Sequence, residues 1–308
     1  SPARVAAGAS LAVLLVAAAA TASEWRHVAH DAFATNHADG VGRISGSATN
    51  RPAVAWSVDL AASTFPTSRF ADVDGDGQVE VLLPYQQRVA ALDLLTLQVV
   101  WATPSIGITR IVGLYDVDGD GDLEVVAVAS GMGGGIHVVD LATGALVWSF
   151  TELDEAAGVL GDEVRVADLD GDGADEIVFA SGVNRTAGFY VADLSTASGV
   201  PEVVVGALQG TAFLNTTGIV VADFDGDGVS AEIVITQGAD LDLKRVAPPN
   251  TCVGPCSGDL CLCDVAFLPD VFPQWALPSP PLGGDLDGDG QAEYLSIHRN
   301  APYGDGIV

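Results

Sequence analysis

A six-residue phrase, D-x-D-G-D-G, occurs five times in this chain and limits its fold more than any other feature. The copies begin at Asp72, Asp116, Asp168, Asp223 and Asp285 and lie between 44 and 62 residues apart. Each copy is followed by a short apolar, β-branched run such as residues 81–83 or 233–235. Repetition at a period of a few tens of residues is typical of proteins that stack one supersecondary unit many times. The chain is therefore predicted to be a repeat protein.

One repeat divides naturally into four strands. We predict the first strand at residues 109–115 and the second at 124–130, with the aspartate phrase as the turn between them. The third and fourth strands are predicted at 136–141 and 145–150, joined by a hairpin turn in which Gly144 supplies a positive φ. Four antiparallel strands per repeat predict an all-β fold, specifically a β-propeller of four-stranded blades with the aspartate loop between the first two strands. The recurring Trp101 and Trp148 are expected to pack between neighbouring blades.

The repeat is similar to a known family. The aspartate loops resemble FG-GAP and VCBS repeats, the calcium-loop propeller repeats also found in integrin α-chains. The phrase from Asp140 to Gly144, followed by Trp148, resembles the tryptophan-docking repeat of quinoprotein-like propellers. The resemblance covers roughly residues 25–308 and implies seven blades, of which about five are visible. We therefore expect the last blade to be incomplete and the chain to be part of a longer protein.

The carboxylate spacing within each loop suits calcium. Ca²⁺ takes about six to eight hard oxygen ligands, and a D-x-D-x-D-G loop can wrap several of them around one ion. In loop 1, residues 72–80, acids occupy positions 1, 3, 5 and 9, and a main-chain carbonyl is expected from position 7. Loop 2 (116–124), loop 3 (168–176) and loop 5 (285–293) repeat this pattern, and loop 4 (223–232) is a variant of it. The predicted ligands are Asp72, Asp74, Asp76, Gln78 and Glu80; Asp116, Asp118, Asp120, Asp122 and Glu124; Asp168, Asp170, Asp172, Ala174 and Glu176; Asp223, Asp225, Asp227, Val229 and Glu232; and Asp285, Asp287, Asp289, Gln291 and Glu293.

The identity of the ion and the type of loop follow from what surrounds these acids. An EF-hand requires an acid at position 12 and flanking helices, whereas position 12 carries no acid in any of the five copies and strand-like runs follow. Mg²⁺ prefers small octahedral sites with several waters and fits this pattern less well. About five Ca²⁺ ions, one per loop, are therefore predicted.

Loop 4 departs from the other four because one extra residue displaces its last acid from position 9 to Glu232. The apolar run still restarts directly after the acid, so Glu232 keeps its register with the following strand, and the extra residue is expected to form a bulge. We predict that Glu232 closes the site and that Val229 or Ser230 provides the carbonyl. The alternative is that Glu232 points to solvent and water replaces it.

The charge balance argues against several classes of partner. The chain has 41 acidic and 12 basic residues, for a net charge of −29. Such a surface repels nucleic acid and anionic membranes. In or beside the five loops lie 22 of the 41 acids, so much of the acidity is explained as calcium ligands.

The two ends of the chain and its cysteines set the expected domain organisation. Residues 1–22 are predicted to be a signal peptide, with a short apolar run and a small-residue cleavage site, so the mature chain is expected to be secreted (extracellular or periplasmic) with no membrane span. Residues 23–51 lead into a propeller at 52–308, with a cysteine-containing insertion at 237–274.

Four cysteines fall in that insertion: Cys252, Cys256, Cys261 and Cys263. Two disulfides are expected, and of the three possible connectivities the one that contains a Cys261–Cys263 bond is disfavoured. The alternative to disulfides is a four-thiolate zinc site.

No catalytic constellation is recognisable. The chain has no G-x-S-x-G or H-E-x-x-H phrase, and no set of residues suited to another cofactor is found. We therefore predict a calcium-binding propeller that acts as a binding or adhesion module for a glycan or extracellular protein ligand. The alternative is a polysaccharide-active enzyme, a lyase or hydrolase, on a calcium-stabilised propeller.

Overall fold

A computed structural model describes residues 11–12, 57–58, 67–129, 134–151, 159–181, 188–196, 199–207, 216–229, 231–237, 240–248, 254–258, 260–269, 271, 277–278, 282–295, 297–300 and 304–307. All regular structure within these ranges is β. The first two strands, β1 (Leu11–Ala12) and β2 (Ser57–Val58), form a short antiparallel pair. The rest of the predicted signal peptide, Trp56 and Cys252 lie outside the described residues.

The next twelve strands form three antiparallel sheets in which neighbours in sequence are neighbours in space. Blade 1 consists of β3 (Arg69–Ala71), β4 (Glu80–Tyr85), β5 (Arg88–Asp93) and β6 (Val99–Ala102). Blade 2 consists of β7 (Ile108–Tyr115), β8 (Glu124–Ala129), β9 (Gly135–Asp140) and β10 (Leu146–Phe150). Blade 3 consists of β11 (Val159–Ala167), β12 (Glu176–Ser181), β13 (Gly188–Asp193) and β14 (Glu202–Ala207). The predicted strands of the second repeat agree with blade 2 to within about one residue at each end.

Blade 4 has the same plan with one addition. It consists of β15 (Thr216–Ala222), β16 (Glu232–Gln237), β17 (Asp240–Ala247), β18 (Cys256–Ser257) and β19 (Leu260–Leu268), in the spatial order β15-β16-β17-β19-β18. The third and fourth strands of the blade thus lie within the predicted insertion at 237–274. The extra hairpin is held by a disulfide between Cys256 and Cys261, and Cys263 is also disulfide-bonded. These disulfides exclude the alternative of a four-thiolate zinc site.

A fifth repeat follows as two smaller sheets. One pairs β21 with β22, and the other has the order β20-β23-β24. The five strands are β20 (Leu277–Pro278), β21 (Leu282–Gly284), β22 (Glu293–Leu295), β23 (Ile297–Asn300) and β24 (Gly304–Ile307).

Consecutive sheets pack face to face in a radial arrangement. Their first strands contact one another in series, β3 with β7, β7 with β11, β11 with β15, and β15 with β21. Each apolar layer is shared between two sheets: one contains Val126 of blade 2 beside Phe179 of blade 3, and the next contains Val178 of blade 3 beside Ile233 of blade 4. Alternating side chains from facing sheets thus bury each other, as the apolar runs predicted. The fold is an all-β, propeller-type array of four-stranded blades, which confirms the predicted fold class.

The two described tryptophans lie where the sequence placed them. Trp101 of blade 1 packs against the apolar layer that blades 1 and 2 share, and Trp148 of blade 2 packs against the layer shared with blade 3. Gly144 has a φ of 70°, and a side chain there would overlap the Trp101 indole ring. The hairpin glycine is therefore required for its conformation and for its contact with the neighbouring blade.

The part of the chain that the structure describes contains no helical segment that could span a membrane.

Candidate metal centres

Each aspartate loop joins the first two strands of a repeat in the same register. The closing glutamate is the first residue of the second strand, and it pairs with the residue just before the first aspartate. The five pairs are Ala71 with Glu80, Tyr115 with Glu124, Ala167 with Glu176, Ala222 with Glu232, and Gly284 with Glu293. Loop 4 therefore accommodates its extra residue without shifting Glu232 relative to the strand.

The first aspartate of each loop organises the backbone around itself. In loop 1, Asp72 Oδ1 accepts a hydrogen bond from the Gly75 N–H at 2.9 Å, and Oδ2 accepts one from the Gly77 N–H at 2.8 Å. Both glycines have positive φ, 75° and 85°, which side chains with a Cβ rarely adopt. The same two bonds form in loops 2 to 5, with the corresponding glycines in the same conformation. The G-x-G spacing in the phrase is thus needed to turn the chain around the first carboxylate.

The remaining predicted ligands adopt equally regular positions. The N–H at position 7 donates to the position-5 carboxylate in every loop, and the five donors are Gln78, Asp122, Ala174, Val229 and Gln291. The position-2 N–H donates to Oε2 of the closing glutamate, at distances from 2.7 to 3.2 Å, from Val73, Val117, Leu169, Phe224 and Leu286. Each closing carboxylate is therefore anchored to the backbone of its own loop through Oε2.

These bonds bring carboxylates of each loop within metal-binding reach. In loops 1 to 4 the acids at positions 1 and 3 and the closing glutamate each offer an oxygen, and all three oxygens lie within 4.8 Å of one another. Loop 4 contributes Asp223, Asp225 and Glu232 to such a group. In loop 5 the group is formed by Asp285, Asp287 and Asp289 instead. The position-5 acids of loops 1 to 4 and Glu293 of loop 5 are not part of these groups.

The closing glutamates of loops 1 to 4 are buried, so the surroundings of their carboxylates indicate whether a cation fits there. Glu176 is fully buried, and its Oε1 has no hydrogen-bond partner. Burial raises the pKa of Glu176 to about 9 and that of Glu124 to about 8, and the neighbouring loop aspartates add to the rise in both. Burial also raises the pKa of Glu80 and of Glu232. A buried carboxylate with a free oxygen, beside two further carboxylates, is an arrangement that a hard divalent cation would stabilise.

In blades 1 to 4 the third strand places a residue beside the closing glutamate that the loop motif does not contain. Strand pairing places Asp93 opposite Glu80 and Asp140 opposite Glu124. In blade 3 the pairing of Ile177 with Ala192 places Asp193 opposite Glu176. Asp193 is buried, and its charge further raises the pKa of Glu176 and of Asp170.

In blade 4 the equivalent residue is Arg245, which pairs with Glu232. The Arg245 guanidinium lies across loop 4, with Nη1 2.9 Å from Asp225 Oδ2 and Nη2 2.7 Å from Asp227 Oδ2. Its Nε is 3.3 Å from Glu232 Oε1, and the two atoms form an ion pair without a hydrogen bond. Sequence reasoning missed both Arg245 and Asp193. Aligning the third strands would have found them, because the phrase that ends in Asp93, Asp140 and Asp193 ends in Arg245 in the fourth repeat.

Loops 2 to 5 lie side by side along one rim of the array. The Asp175 N–H donates to the Asp116 carbonyl at 2.8 Å, and the Ala292 N–H donates to the Asp223 carbonyl at 2.7 Å, so neighbouring loops share backbone hydrogen bonds. A position-7 side chain also lies next to the position-4 glycine of the preceding loop in three successive pairs: Ala174 with Gly119, Val229 with Gly171, and Gln291 with Gly226. The loops therefore connect adjacent blades.

An open groove of about 610 Å³ lies between loops 3 and 4. Its apolar lining includes Leu169 and Val229, and its polar lining includes Asp170, Asp227 and Arg245. The groove is thus directly bordered by residues from two candidate metal centres.

Comparisons with known proteins leave the family open. No protein-family profile matches the chain, and no curated protein matches it. Among solved structures, similarity is found to quinohemoprotein alcohol dehydrogenase from Comamonas testosteroni (TM-score 0.49, 14% identity, covering 90% of this chain and 46% of that one). It is also found to hydrazine synthase of Kuenenia stuttgartiensis (TM-score 0.36, 13% identity, 77% of this chain and 69% of that one) and to the V. cholerae biofilm matrix protein Bap1 (TM-score 0.29, 13% identity, 79% and 69%).

The chain spans about half the length of the first of these structures. The fold assignment rests on the strand pairing described above, and the resemblance to FG-GAP and VCBS repeats stays a prediction.

Proposed function

We propose that the five loops bind Ca²⁺ and that the resulting calcium-stabilised propeller is a secreted binding or adhesion module for a glycan or extracellular protein ligand. The observation that carries the calcium proposal is the repeated grouping of three carboxylates within 4.8 Å in every loop. The ligands would be the aspartates at positions 1, 3 and 5, the position-7 carbonyl and the closing glutamate. Bound calcium would supply charge compensation, and the protein supplies a loop that its backbone hydrogen bonds already hold in shape.

Charge repulsion gives the physical reason for the ion. Carboxylates this close repel one another, and partial burial strengthens the repulsion because the effective dielectric constant is lower than in water. Burial is the main cause of the raised pKa values of Glu124 and Glu176, and repulsion by the neighbouring aspartates raises both pKa values further. A divalent cation at each loop would reverse it and favour the ionised forms.

Calcium would also stabilise contacts between blades. Loops 2 and 3, and loops 4 and 5, are joined by backbone hydrogen bonds from one blade to the next. A ligand that binds only the native state increases the free energy of unfolding, by about 2.7 kcal/mol per site at a hundredfold excess over its Kd. Ordering each loop would thus also order the rim to which the neighbouring blade is bonded.

The groove between loops 3 and 4 is our candidate for the ligand-binding surface. It is lined by apolar side chains together with carboxylates and a guanidinium, a mixture suited to hydroxyl-rich or peptide ligands. Its walls include the position-3 acid of loop 3 and the position-5 acid of loop 4, so calcium would set the shape of both sides. Ligand binding is therefore expected to depend on calcium.

The test of the binding proposal is a glycan array and a panel of extracellular matrix proteins, each probed with the full chain in millimolar calcium and again in excess chelator. Retention of an intact ligand in calcium only is the expected result. Release of new reducing ends or unsaturated products from a retained polysaccharide would instead favour the enzymatic alternative. Equal retention with and without calcium would contradict the calcium-dependent binding module.

A further inference from the structure

Arg245 differs from every other described residue at its position in the repeat. The third-strand residue opposite the closing glutamate is an aspartate in blades 1, 2 and 3, and Arg245 in blade 4. The change replaces a negative charge beside the loop with a positive one. The positive charge acts directly on loop 4, because the guanidinium lies within 3.3 Å of three of its carboxylates.

The contacts of Arg245 involve the oxygens that the backbone leaves free. Glu232 Oε2 accepts the Phe224 N–H, and Arg245 Nε faces the other oxygen, Oε1. Asp225 Oδ1 and Asp227 Oδ1 likewise accept backbone N–H groups, whereas Arg245 contacts their Oδ2 atoms. In loop 3 the oxygen equivalent to Glu232 Oε1 is the unpartnered Oε1 of Glu176. Arg245 therefore contacts a loop 4 oxygen, Glu232 Oε1, that a bound cation would also use.

Two cations that share one set of carboxylates oppose each other. The Arg245 side chain is 37% exposed and that of Glu232 only 4%, so the guanidinium is partly shielded from solvent where it meets the site. Its positive charge lowers the pKa of Glu232, against the effect of burial. The same charge must lower the affinity of the loop for a second cation, whether the guanidinium stays in place or is displaced.

We propose that Arg245 is a tethered cation that competes with Ca²⁺ for loop 4, so that this loop fills last, at a calcium concentration at least about tenfold above that of the other loops. This inference rests on the proposed calcium function of the loops. Competition with Arg245 makes loop 4 the part of the rim that responds to calcium, because binding there exchanges the guanidinium for a free Ca²⁺ ion. The guanidinium also lines the groove beside loop 3, so the exchange would change the charge that the groove presents.

The experiment is a calcium titration of the full chain, stripped of metal, by isothermal titration calorimetry and equilibrium dialysis. Arg245→Met removes the charge and keeps an apolar stem. Arg88→Met is the matched control. Arg88 pairs with Tyr85 at the far end of its hairpin, away from Glu80 and loop 1. Asp225→Asn, made in the wild-type background, identifies which binding event belongs to loop 4.

We expect the wild-type protein and Arg88→Met to show one calcium site weaker than the rest, Asp225→Asn to abolish that weak site, and Arg245→Met to strengthen it about tenfold. In chelator, Arg245→Met should also melt at a lower temperature than the wild-type protein, and this difference should shrink in saturating calcium. An Arg245→Met isotherm identical to the wild type, or a weak site that Asp225→Asn leaves intact, would overturn the inference. A wild-type protein that binds no calcium at any loop would instead contradict the proposed function itself.

Discussion

Loops 3 and 4 have the same backbone design but opposite charge environments. In both, the first aspartate accepts N–H groups from two glycines of positive φ, and the closing glutamate accepts the position-2 N–H. Loop 3 faces the buried carboxylate of Asp193, and loop 4 faces the guanidinium of Arg245. The local phrase therefore determines the geometry of the centre, whereas the cross-strand neighbour adds one negative charge to loop 3 and one positive charge to loop 4.

The hydrogen-bonding neighbour of the position-5 aspartate differs in the same sense. Asp172 Oδ2 of loop 3 accepts a hydrogen bond from the neutral Ser195 hydroxyl at 2.8 Å. The equivalent Oδ2 of Asp227 in loop 4 is paired with Arg245 at 2.7 Å. Two loops that look alike in sequence are therefore expected to differ in calcium affinity, and each prediction below tests that difference.

The largest effect is expected from removing the closing acids one at a time. In saturating calcium, Glu176→Ala should lower the free energy of unfolding by about 2.7 kcal/mol, the contribution of one site at a hundredfold excess of calcium over Kd. Glu232→Ala should lower it by clearly less, because loop 4 binds calcium more weakly. Urea unfolding monitored by tryptophan fluorescence measures both. Equal losses for the two variants would remove the distinction between the loops.

A second effect concerns pH in the absence of metal. The pKa of Glu176 in the folded protein is about 9, while that of an unfolded glutamate is about 4.3. Between these values the folded state holds a proton that the unfolded state has lost, so the free energy of unfolding should fall as pH rises. Glu176→Gln cannot ionise there and should flatten this dependence more than Glu232→Gln does, since Arg245 opposes the rise in the Glu232 pKa. Denaturation in chelator at about pH 5.5, 7 and 8.5 is the measurement, and identical slopes for the two variants would argue against the assignment.

The next effect comes from the third-strand residue of blade 3. Asp193→Asn removes the charge that faces Glu176 but keeps a side-chain oxygen to accept the Ser195 N–H. We expect the calcium affinity of loop 3 to fall by about fivefold, with little change in unfolding measured in chelator. Calorimetry resolves this change, and Asp240→Asn, on the third strand of blade 4 at the end away from loop 4, is a control of equal charge change. An unchanged affinity would show that the cross-strand charge does not influence the site.

The smallest effect is expected from Ser195. Ser195→Ala removes the hydroxyl that bonds Asp172 and Asp193 and leaves every proposed ligand in place. Because Asp172 keeps its charge and its hydrogen bond from the Ala174 N–H, calcium affinity at loop 3 should change by no more than a few fold. A loss as large as that of Glu176→Ala would mean that Ser195 acts on calcium directly, and the ligand set would need revision.

Much of this molecule follows from its repeat. The strands of blade 2, the positive φ of Gly144 and the packing of Trp101 and Trp148 between blades could all be predicted, because periodic patterns report strands and tight turns directly. The position of Glu232 beside Asp223 and Asp225 also matches the expectation from its register, although its role as a calcium ligand stays a prediction.

The charge around each loop could not be predicted from the loop phrase. Arg245 lies thirteen residues after Glu232 in sequence, and its position opposite that acid depends on the length of the intervening hairpin. The free Oε1 of Glu176 depends on how completely neighbouring strands bury it. Such properties arise from strand register and packing between blades, which a local motif does not encode.

The central claim, that the five loops are calcium sites, is tested most directly by counting bound ions. The full chain would be dialysed against a series of buffered free calcium concentrations, and its calcium content measured by atomic emission alongside its melting temperature. We predict about four equivalents bound together, a fifth at least about tenfold higher in calcium, and a melting temperature that rises by several degrees or more as the sites fill. A chain that retains no calcium at millimolar free ion, with a melting temperature unaffected by chelator, would contradict the account.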